Sequence, residues 1–140
     1  MRPAPQSPRS TRWWQAASAF VVRRGSLTVC EPGGRRAVPL WPFSQVLHAA
    51  TFVGAAESAS LLSTLESYRR GSAYAERPRG RRRYYDDNAW IGLSLLAHGD
   101  TDGARRVLGF LREGCVARDD ASVGVRWVEG GEALHSCSTG

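Results

Sequence analysis

Residues 81–100 read RRRYYDDNAWIGLSLLAHGD. Two aspartates, Asp86 and Asp87, stand side by side directly before a run of apolar residues. This run places apolar side chains around almost the whole circumference of a helix, which is typical of a helix that is buried on every side. We therefore predict a buried helix that begins at Asp86 or Asp87 and ends at about Ala97.

A one-sided helix is predicted directly after it. Residues 102–116 carry their apolar positions on a single stripe, with Thr101 or Asp102 as the predicted cap and Gly114 near the end. A helix that is apolar all round, followed by a partner that is apolar on one side, is the pattern of inner and outer helices in a layered toroid. The pattern predicts an all-α fold, a partial (α/α)6 toroid or barrel built of helical hairpins.

Upstream, two more segments have apolar residues at helical spacing, residues 40–58 and 58–71. Pro42 suits the first turn of a helix, where its missing N–H is not needed. Gly54 is a candidate break and Gly71 a predicted stop. These two segments form either an antiparallel hairpin or, if Gly54 is tolerated, one bent helix.

The N-terminal part of the chain is less regular. Residues 1–10 contain three prolines and little apolar material, so we predict a disordered leader. Residues 11–22 have the pattern of a short helix, and residues 25–40 that of an irregular loop. Residues 11–140 are assigned to one domain, in agreement with a length of 140 residues.

The basic residues are unusual in kind. All 19 are arginine, and the chain has no lysine. No binding chemistry would exclude lysine everywhere, so we interpret the arginines as a coding bias. The net charge of +6 is therefore weak support for a nucleic-acid partner, and we predict none.

Cysteine and histidine are too scattered to hold a metal ion. No pair has the spacing of zinc ligands, so we predict no metal site and no cofactor. The residues concerned are Cys30, Cys115, Cys137, His48, His98 and His135.

No run of 18 apolar residues exists, so we predict no membrane partner. The apolar segment that follows Arg12 loosely resembles a signal peptide, but Gln15 interrupts it and no small-residue cleavage site follows. Localisation stays open, with the cytoplasm slightly favoured over secretion.

The paired aspartates have two interpretations. In the first they are structural, because aspartate favours the cap and the first turn of a helix. In the second they perform acid–base work, because two nearby carboxyls whose pKa values are pushed apart supply one ionised and one protonated group, as in glycosidases. The flanking aromatic residues Tyr84, Tyr85 and Trp90 would then offer sugar rings an apolar face.

The second interpretation matches a known family. YYDDNAWIGLSLL (84–96) resembles the central motif of glycoside hydrolase family 76, the endo-acting α-1,6-mannanases and their relatives. LWPFSQVLHAA (40–50) resembles the preceding inner-helix segment, and GVRWVEGG (124–131) resembles the next block. The three matches occur in order and span roughly residues 38–140.

The resemblance implies an (α/α)6 barrel that hydrolyses α-1,6-mannosidic or related bonds by a retaining mechanism. It implies that Asp86 is the nucleophile and Asp87 the general acid/base. The implied partner is a mannan-type oligosaccharide or polysaccharide. Four residues in or beside the motifs are candidates for lining the cleft or orienting the carboxylates: Trp41, Tyr85, Asn88 and Trp90.

The chain departs from the family in length. A complete barrel has six hairpins, whereas this sequence predicts four or five helices, so we expect a partial gene product with weak or no activity. The apolar faces of its terminal helices would then be exposed, which favours self-association.

Two alternatives remain. One is a non-catalytic helical fragment. The other is an arginine-rich binding module formed by Arg77, Arg79 and residues 81–83 beside two tyrosines. We favour a solvated loop for this cluster, because no nucleic-acid-binding motif accompanies it.

Overall fold

The computed structural model describes residues 8–19, 21–24, 26–30, 36–117, 123–132 and 134. The described helices are α1 (Pro8–Ser18), α2 (Leu40–Phe52), α3 (Ser58–Leu65), α4 (Tyr85–His98) and α5 (Thr101–Glu113). The described strands are β1 (Val21–Arg24), β2 (Ser26–Val29), β3 (Arg69–Arg70), β4 (Ala73–Tyr74), β5 (Cys115–Ala117) and β6 (Val123–Val125). They pair as three antiparallel hairpins, β1 with β2, β3 with β4 and β5 with β6.

Helices α2 and α3 form a hairpin rather than one bent helix. The chain turns at Gly54, whose φ of +64° is a conformation that glycine adopts without strain. It then returns to the start of α2, where the Tyr68 ring lies 5.0 Å from that of Phe43. The Tyr68 hydroxyl also donates a hydrogen bond of 2.8 Å to the Val38 carbonyl. With α4 and α5 as the second hairpin, the predicted fold of helical hairpins is confirmed.

Helices α2 and α4 lie side by side and run parallel. At one end, the Leu40 N–H donates to the Glu76 carbonyl at 2.8 Å, and Asn88 in the first turn of α4 bonds to neighbouring Tyr74. About two turns further along both helices, the Ser94 hydroxyl lies 3.3 Å from His48 Nδ1. The N-terminal ends of both helices therefore meet at the same end of the fold.

The main core lies between the two hairpins. At the edge of this core, the Asn88 side chain of α4 forms hydrogen bonds with the backbone of Tyr74 in β4. The buried residues of the core are Val29, Val38, Leu40, Phe43, Leu47, Ala50, Leu61, Leu65, Tyr68, Tyr74, Ile91, Leu95 and Val107. A smaller cluster contains Ala73, Tyr85 and Phe110.

Several local predictions need correction. Strand β2 lies where an irregular loop was predicted, because all four of its residues pair with β1 in a two-stranded ribbon. Gly71 does not stop a helix, since α3 ends at Leu65 and Gly71 turns the β3–β4 hairpin with a φ of +63°. The cap of α5 is Asp100, whose carboxylate accepts the Gly103 N–H at 2.8 Å, rather than Thr101 or Asp102.

At the N-terminus, α1 begins at Pro8, three residues before the predicted start. The first seven residues of the predicted leader lie outside the described part of the chain, as do His135 and Cys137.

Helix α4 is not buried all round, which corrects another prediction. Leu93 and Leu96 are 52% and 58% exposed, and Leu108 on α5 is 55% exposed. They border a groove of about 480 Å³ on the side of α4 that faces away from α2. The groove is lined by Ala89, Gly92, Leu93, Leu96, Thr101, Ala104, Arg105, Val107, Leu108 and Leu111. No described element packs there, so the apolar residues that would bury this helix on every side remain in contact with solvent.

None of the described helices has the length and apolar character needed to cross a membrane. Within the same residues, no group of three or more metal-ligating side chains is placed to hold an ion.

Candidate active site

The two aspartates occupy the first turn of α4, and neither is its cap. The N-cap residue is Tyr84, and no side chain caps the helix. The Asp86 carboxylate accepts the Asp87 N–H at 3.0 Å, a hydrogen bond that stays within the turn. Both carboxyl groups lie at the positive end of the helix dipole, which accommodates anionic groups.

Asp87 is buried, with 7% of its surface exposed. Burial first, and the charge of Asp86 second, raise the pKa of Asp87 from its ordinary value of 3.8 to about 7. No hydrogen bond or cation of the described residues offsets these effects. Asp86 is half-buried beside it. Two adjacent carboxyls with such different surroundings can hold one proton between them near neutral pH.

The start of α4 is held by two other segments. The Tyr85 N–H donates to the Trp127 carbonyl at 3.0 Å, and the Glu129 N–H donates to the Arg83 carbonyl at 3.0 Å. On the other side, Asn88 is fully buried. Its side chain accepts the Tyr74 N–H at 2.8 Å and donates to the Tyr74 carbonyl at 2.9 Å. Long-range hydrogen bonds thus fix the backbone that carries both aspartates.

The structure does not place Tyr85 and Asn88 where they would line a cleft. The Tyr85 ring is buried and stacks on Phe110 of α5 with 4.6 Å between the centroids. It also lies against Gly114, where a Cβ would come within 2.6 Å of the ring. Both side chains lie on the inward face of α4, because aromatic and amide groups there complete the packing against α5 and β4. They support the turn instead of facing a ligand.

Trp41 and Trp90 are placed differently, on an open surface formed by α2 and α4. Trp41 is 55% exposed and Trp90 is 38% exposed. At 3.6 residues per turn, Trp41 shares a face of α2 with His48, and Asp86 shares a face of α4 with Trp90. The His48 and Trp90 rings meet edge to face at 5.2 Å, which joins the two faces. We call this the aromatic surface; it comprises Trp41, His48, Phe52, Asp86 and Trp90.

Two residues at the site were not assigned from the sequence. His48 was considered only as a metal ligand, yet it lies half-buried between Trp90 and Ser94. Trp127 lies in the GVRWVEGG block and is 39% exposed, with its ring 5.2 Å from that of Tyr84. The spacing of His48 seven residues after Trp41 was a usable signal, since it puts both on one helix face. No local sequence pattern indicated that the Trp127 carbonyl accepts a hydrogen bond from the Tyr85 N–H.

Comparison with solved structures supports the fold. A family 76 glycoside hydrolase, a mannosidase from Bacteroides thetaiotaomicron VPI-5482, matches 93% of this chain at 20% identity with a TM-score of 0.61. A selenomethionine derivative of a family 76 α-mannanase from Bacteroides thetaiotaomicron matches 89% at 16% identity with a TM-score of 0.62. This chain covers 44% and 42% of the length of those two chains.

No protein-family model and no curated protein matches the sequence. The resemblance to family 76 is thus confirmed at the level of the fold, a partial helical toroid.

Proposed function

We propose that this chain, which has the fold of family 76 glycoside hydrolase structures, carries the two catalytic carboxylates of a retaining glycosidase. Its substrate would be an α-1,6-mannan or a related glycan. The observation that carries the proposal is the contrast within the pair, with Asp87 buried and its pKa raised to about 7 beside the more accessible Asp86. A capping side chain accepts backbone N–H groups of the helix, and none of the described side chains, Asp87 included, caps α4 in this way.

The proposed reaction has two steps. The Asp86 carboxylate attacks the anomeric carbon while protonated Asp87 gives its proton to the departing glycosidic oxygen. The covalent glycosyl–aspartate bond is then broken by water, which passes a proton to Asp87 as it attacks. Each step inverts the anomeric carbon, so the two steps together retain the anomeric configuration. Trp41 and Trp90 would supply apolar faces on which sugar rings stack.

Loops around a complete barrel mouth contribute to binding in such a fold. Since this chain spans less than half the length of the compared structures, we propose that its turnover is slow. A test should therefore detect a single reaction event. We propose incubation with an activated 2-deoxy-2-fluoro-mannosyl donor, which forms the covalent intermediate and hydrolyses slowly. Intact-protein and peptide mass spectrometry should find one glycosyl group on Asp86.

The matched control is Asp102→Asn, since Asp102 is an exposed carboxylate in the first turn of α5. This variant should be labelled like the original chain, whereas Asp86→Asn should not be labelled. Labelling that persists in Asp86→Asn, or no labelling of any chain that is shown to be folded, would contradict the proposed role.

Asp87 should also lower the stability of the fold above neutral pH. Its folded pKa of about 7 lies above the unfolded value of about 3.9, so the folded state binds more protons between these pH values. Stability contributed by this group is complete below about pH 4 and is lost as the pH rises through about 7. Asp87→Asn should therefore unfold at higher urea than the original chain at about pH 8, by up to roughly 4 kcal/mol, and should differ little at about pH 4.

Asp102→Asn serves here too, because it removes only an exposed ion pair with Arg105 and should change stability by less than about 1 kcal/mol at either pH. If Asp87→Asn raised the unfolding free energy by the same amount at both pH values, Asp87 would not be a buried carboxyl with a raised pKa.

We also propose that two copies of the chain associate through the α4–α5 groove. Its border carries Leu93, Leu96 and Leu108, and its one charged lining residue, Arg105, is paired with Asp102. Two chains that each carry a charge of +6 repel one another except where their surfaces are locally neutral. An apolar, neutral face is therefore the surface through which like copies can approach.

Sedimentation velocity over a concentration series tests this association. Leu93→Gln combined with Leu108→Gln should shift the chain towards monomer, because both leucines are more than half exposed. Phe52→Gln is the control, since Phe52 is 79% exposed but lies on the aromatic surface. Equal association of all three chains would exclude the groove as the interface.

A further inference from the structure

The loop between β4 and α4 carries a concentration of unpaired positive charge. Its exposed arginines are Arg77, Arg79, Arg81 and Arg82. None of the four forms an ion pair with a described residue, whereas Arg69, Arg83 and Arg105 each do. The next residue, Arg83, is paired with Glu129 and packs over the Phe110 ring at 4.5 Å. The coding bias explains why these residues are arginine rather than lysine, but it does not explain why four of them face solvent together without carboxylate partners.

This arginine loop is a closed turn of defined shape. The Glu76 N–H donates to the Arg82 carbonyl at 2.9 Å, and the Glu76 carboxylate accepts the Arg82 N–H at 2.7 Å. At the tip, the Gly80 N–H donates to the Arg77 carbonyl at 2.8 Å. Because its base is bonded together, the loop presents its arginines from a fixed position, which lowers the ordering cost of binding a ligand.

The arginine loop lies at the same end of the fold as the aspartate pair. At its base, the Glu76 carbonyl accepts a hydrogen bond from the N–H of Leu40, the first residue of α2 and the neighbour of Trp41. Asp86 is the fourth residue after Arg82, and four residues span at most roughly 14 Å even when fully extended. The loop therefore flanks the N-terminal ends of α2 and α4.

The loop nevertheless does not neutralise the carboxylates. Burial and Asp86 raise the pKa of Asp87, and no arginine lowers it. A cation in contact with the pair would hold that pKa down. The four guanidinium groups are thus available to a part of the substrate that extends beyond the sugar at the reacting bond.

We propose that the arginine loop is an anion-binding subsite, and that the glycan recognised by this chain carries phosphate or carboxylate groups. The inference rests on the proposed glycosidase function, because that function makes the adjacent ligand a glycan. Guanidinium groups bind phosphate and carboxylate oxygens with paired, charge-assisted hydrogen bonds. Neutral mannan offers no such oxygens, so a neutral substrate would leave the loop unused.

The test measures binding rather than hydrolysis, with the Asp86→Asn chain so that the glycan stays intact. The probes are neutral α-1,6-mannan and the same polymer in phosphorylated and in carboxymethylated form, compared by affinity electrophoresis. At about 50 mM salt we expect at least one anionic form to bind about tenfold more tightly than the neutral form, with most of that advantage lost at about 500 mM salt. The two anionic forms distinguish a phosphate from a carboxylate ligand.

Matched variants locate the effect. Arg77→Gln, Arg79→Gln and Arg81→Gln together should remove the anionic advantage and leave binding of neutral mannan unchanged. The control removes the same charge from exposed positions of α5, with Arg105, Arg106 and Arg112 each changed to Gln. This control variant should still bind anionic mannan more tightly than neutral mannan. Thermal unfolding of each variant verifies that it is folded.

The outcomes separate this inference from the proposed function. Equal binding of neutral and anionic mannan overturns the subsite alone, while failure of every mannan to bind overturns the carbohydrate function as well. An advantage that the α5 control also loses would show general charge attraction and would reject the loop. Single-stranded DNA of similar charge that binds as tightly as the anionic mannans would reject a glycan subsite in favour of a general polyanion surface.

Discussion

Asparagine in place of Asp86 is expected to reduce hydrolysis of an aryl α-mannoside by about 10³-fold or more, because the variant has no nucleophile with which to form the covalent intermediate. Asparagine in place of Asp87 should lower the rate by about 10²- to 10⁴-fold on a substrate with a poor leaving group. The Asp87 variant should lose far less activity on a dinitrophenyl glycoside, whose leaving group needs no proton. It should also regain activity with azide, a small nucleophile that needs no general base.

The pH profile adds an independent check on the same roles. Because the proton donor has a pKa of about 7, the rate of the original chain should fall as the pH rises above about 7. In the Asp87→Asn variant that alkaline limb should disappear. Asp102→Asn should keep both the rate and the profile. If the two site variants lost activity equally on activated and unactivated substrates, the division of roles between the carboxyls would be wrong.

Truncation of Asn88 to alanine is expected to cost about 3 to 5 kcal/mol of unfolding free energy. Asn88 is fully buried, and its amide satisfies both the N–H and the carbonyl of Tyr74. The variant would leave these two groups without their partner and would open a cavity beside them. Each buried polar group that loses its partner costs about 1 to 3 kcal/mol. Urea unfolding at fixed pH measures the loss directly.

Ser94→Ala is the matched control, since Ser94 is also buried on α4. Its hydroxyl donates to the Trp90 carbonyl within the same helix and lies 3.3 Å from Nδ1 of His48. His48 is only half-buried, so the loss of this hydroxyl leaves no fully buried group without a partner and should cost about 1 kcal/mol or less. An Asn88→Ala loss no larger than that of Ser94→Ala would mean that the bonds to Tyr74 do not hold the first turn of α4. The labelling rate at Asp86 would then be expected to stay unchanged in Asn88→Ala.

Helix positions followed from local patterns, and local patterns also account for the errors. Periodicity located α2, α4 and α5, and the prediction of a break at Gly54 was confirmed by its left-handed conformation. The β1–β2 ribbon was missed because its strands are short. The cap of α5 was placed one or two residues late because acidic and hydroxyl residues occur at three successive positions, and only the Asp100 carboxylate reaches an N–H group.

The aromatic residues near the aspartates show a different kind of limit. Tyr85 and Trp90 are both aromatic and both lie on α4, yet one stacks on Phe110 and the other faces the open surface beside His48. Their residue types do not distinguish them. What distinguishes them is the side of α4 on which α5 packs, and that depends on the rest of the fold.

The amino-acid sequence alone determined that two carboxyls would be neighbours at the start of a helix, because adjacency is covalent and helical period is local. It also determined the order of the hairpins. Only the tertiary structure decided that Asp87 rather than Asp86 is the buried member of the pair, and that the arginine loop stands at the same end as both. Burial depends on which distant segments pack against a side chain, and removal from water is what raises the pKa of a carboxyl.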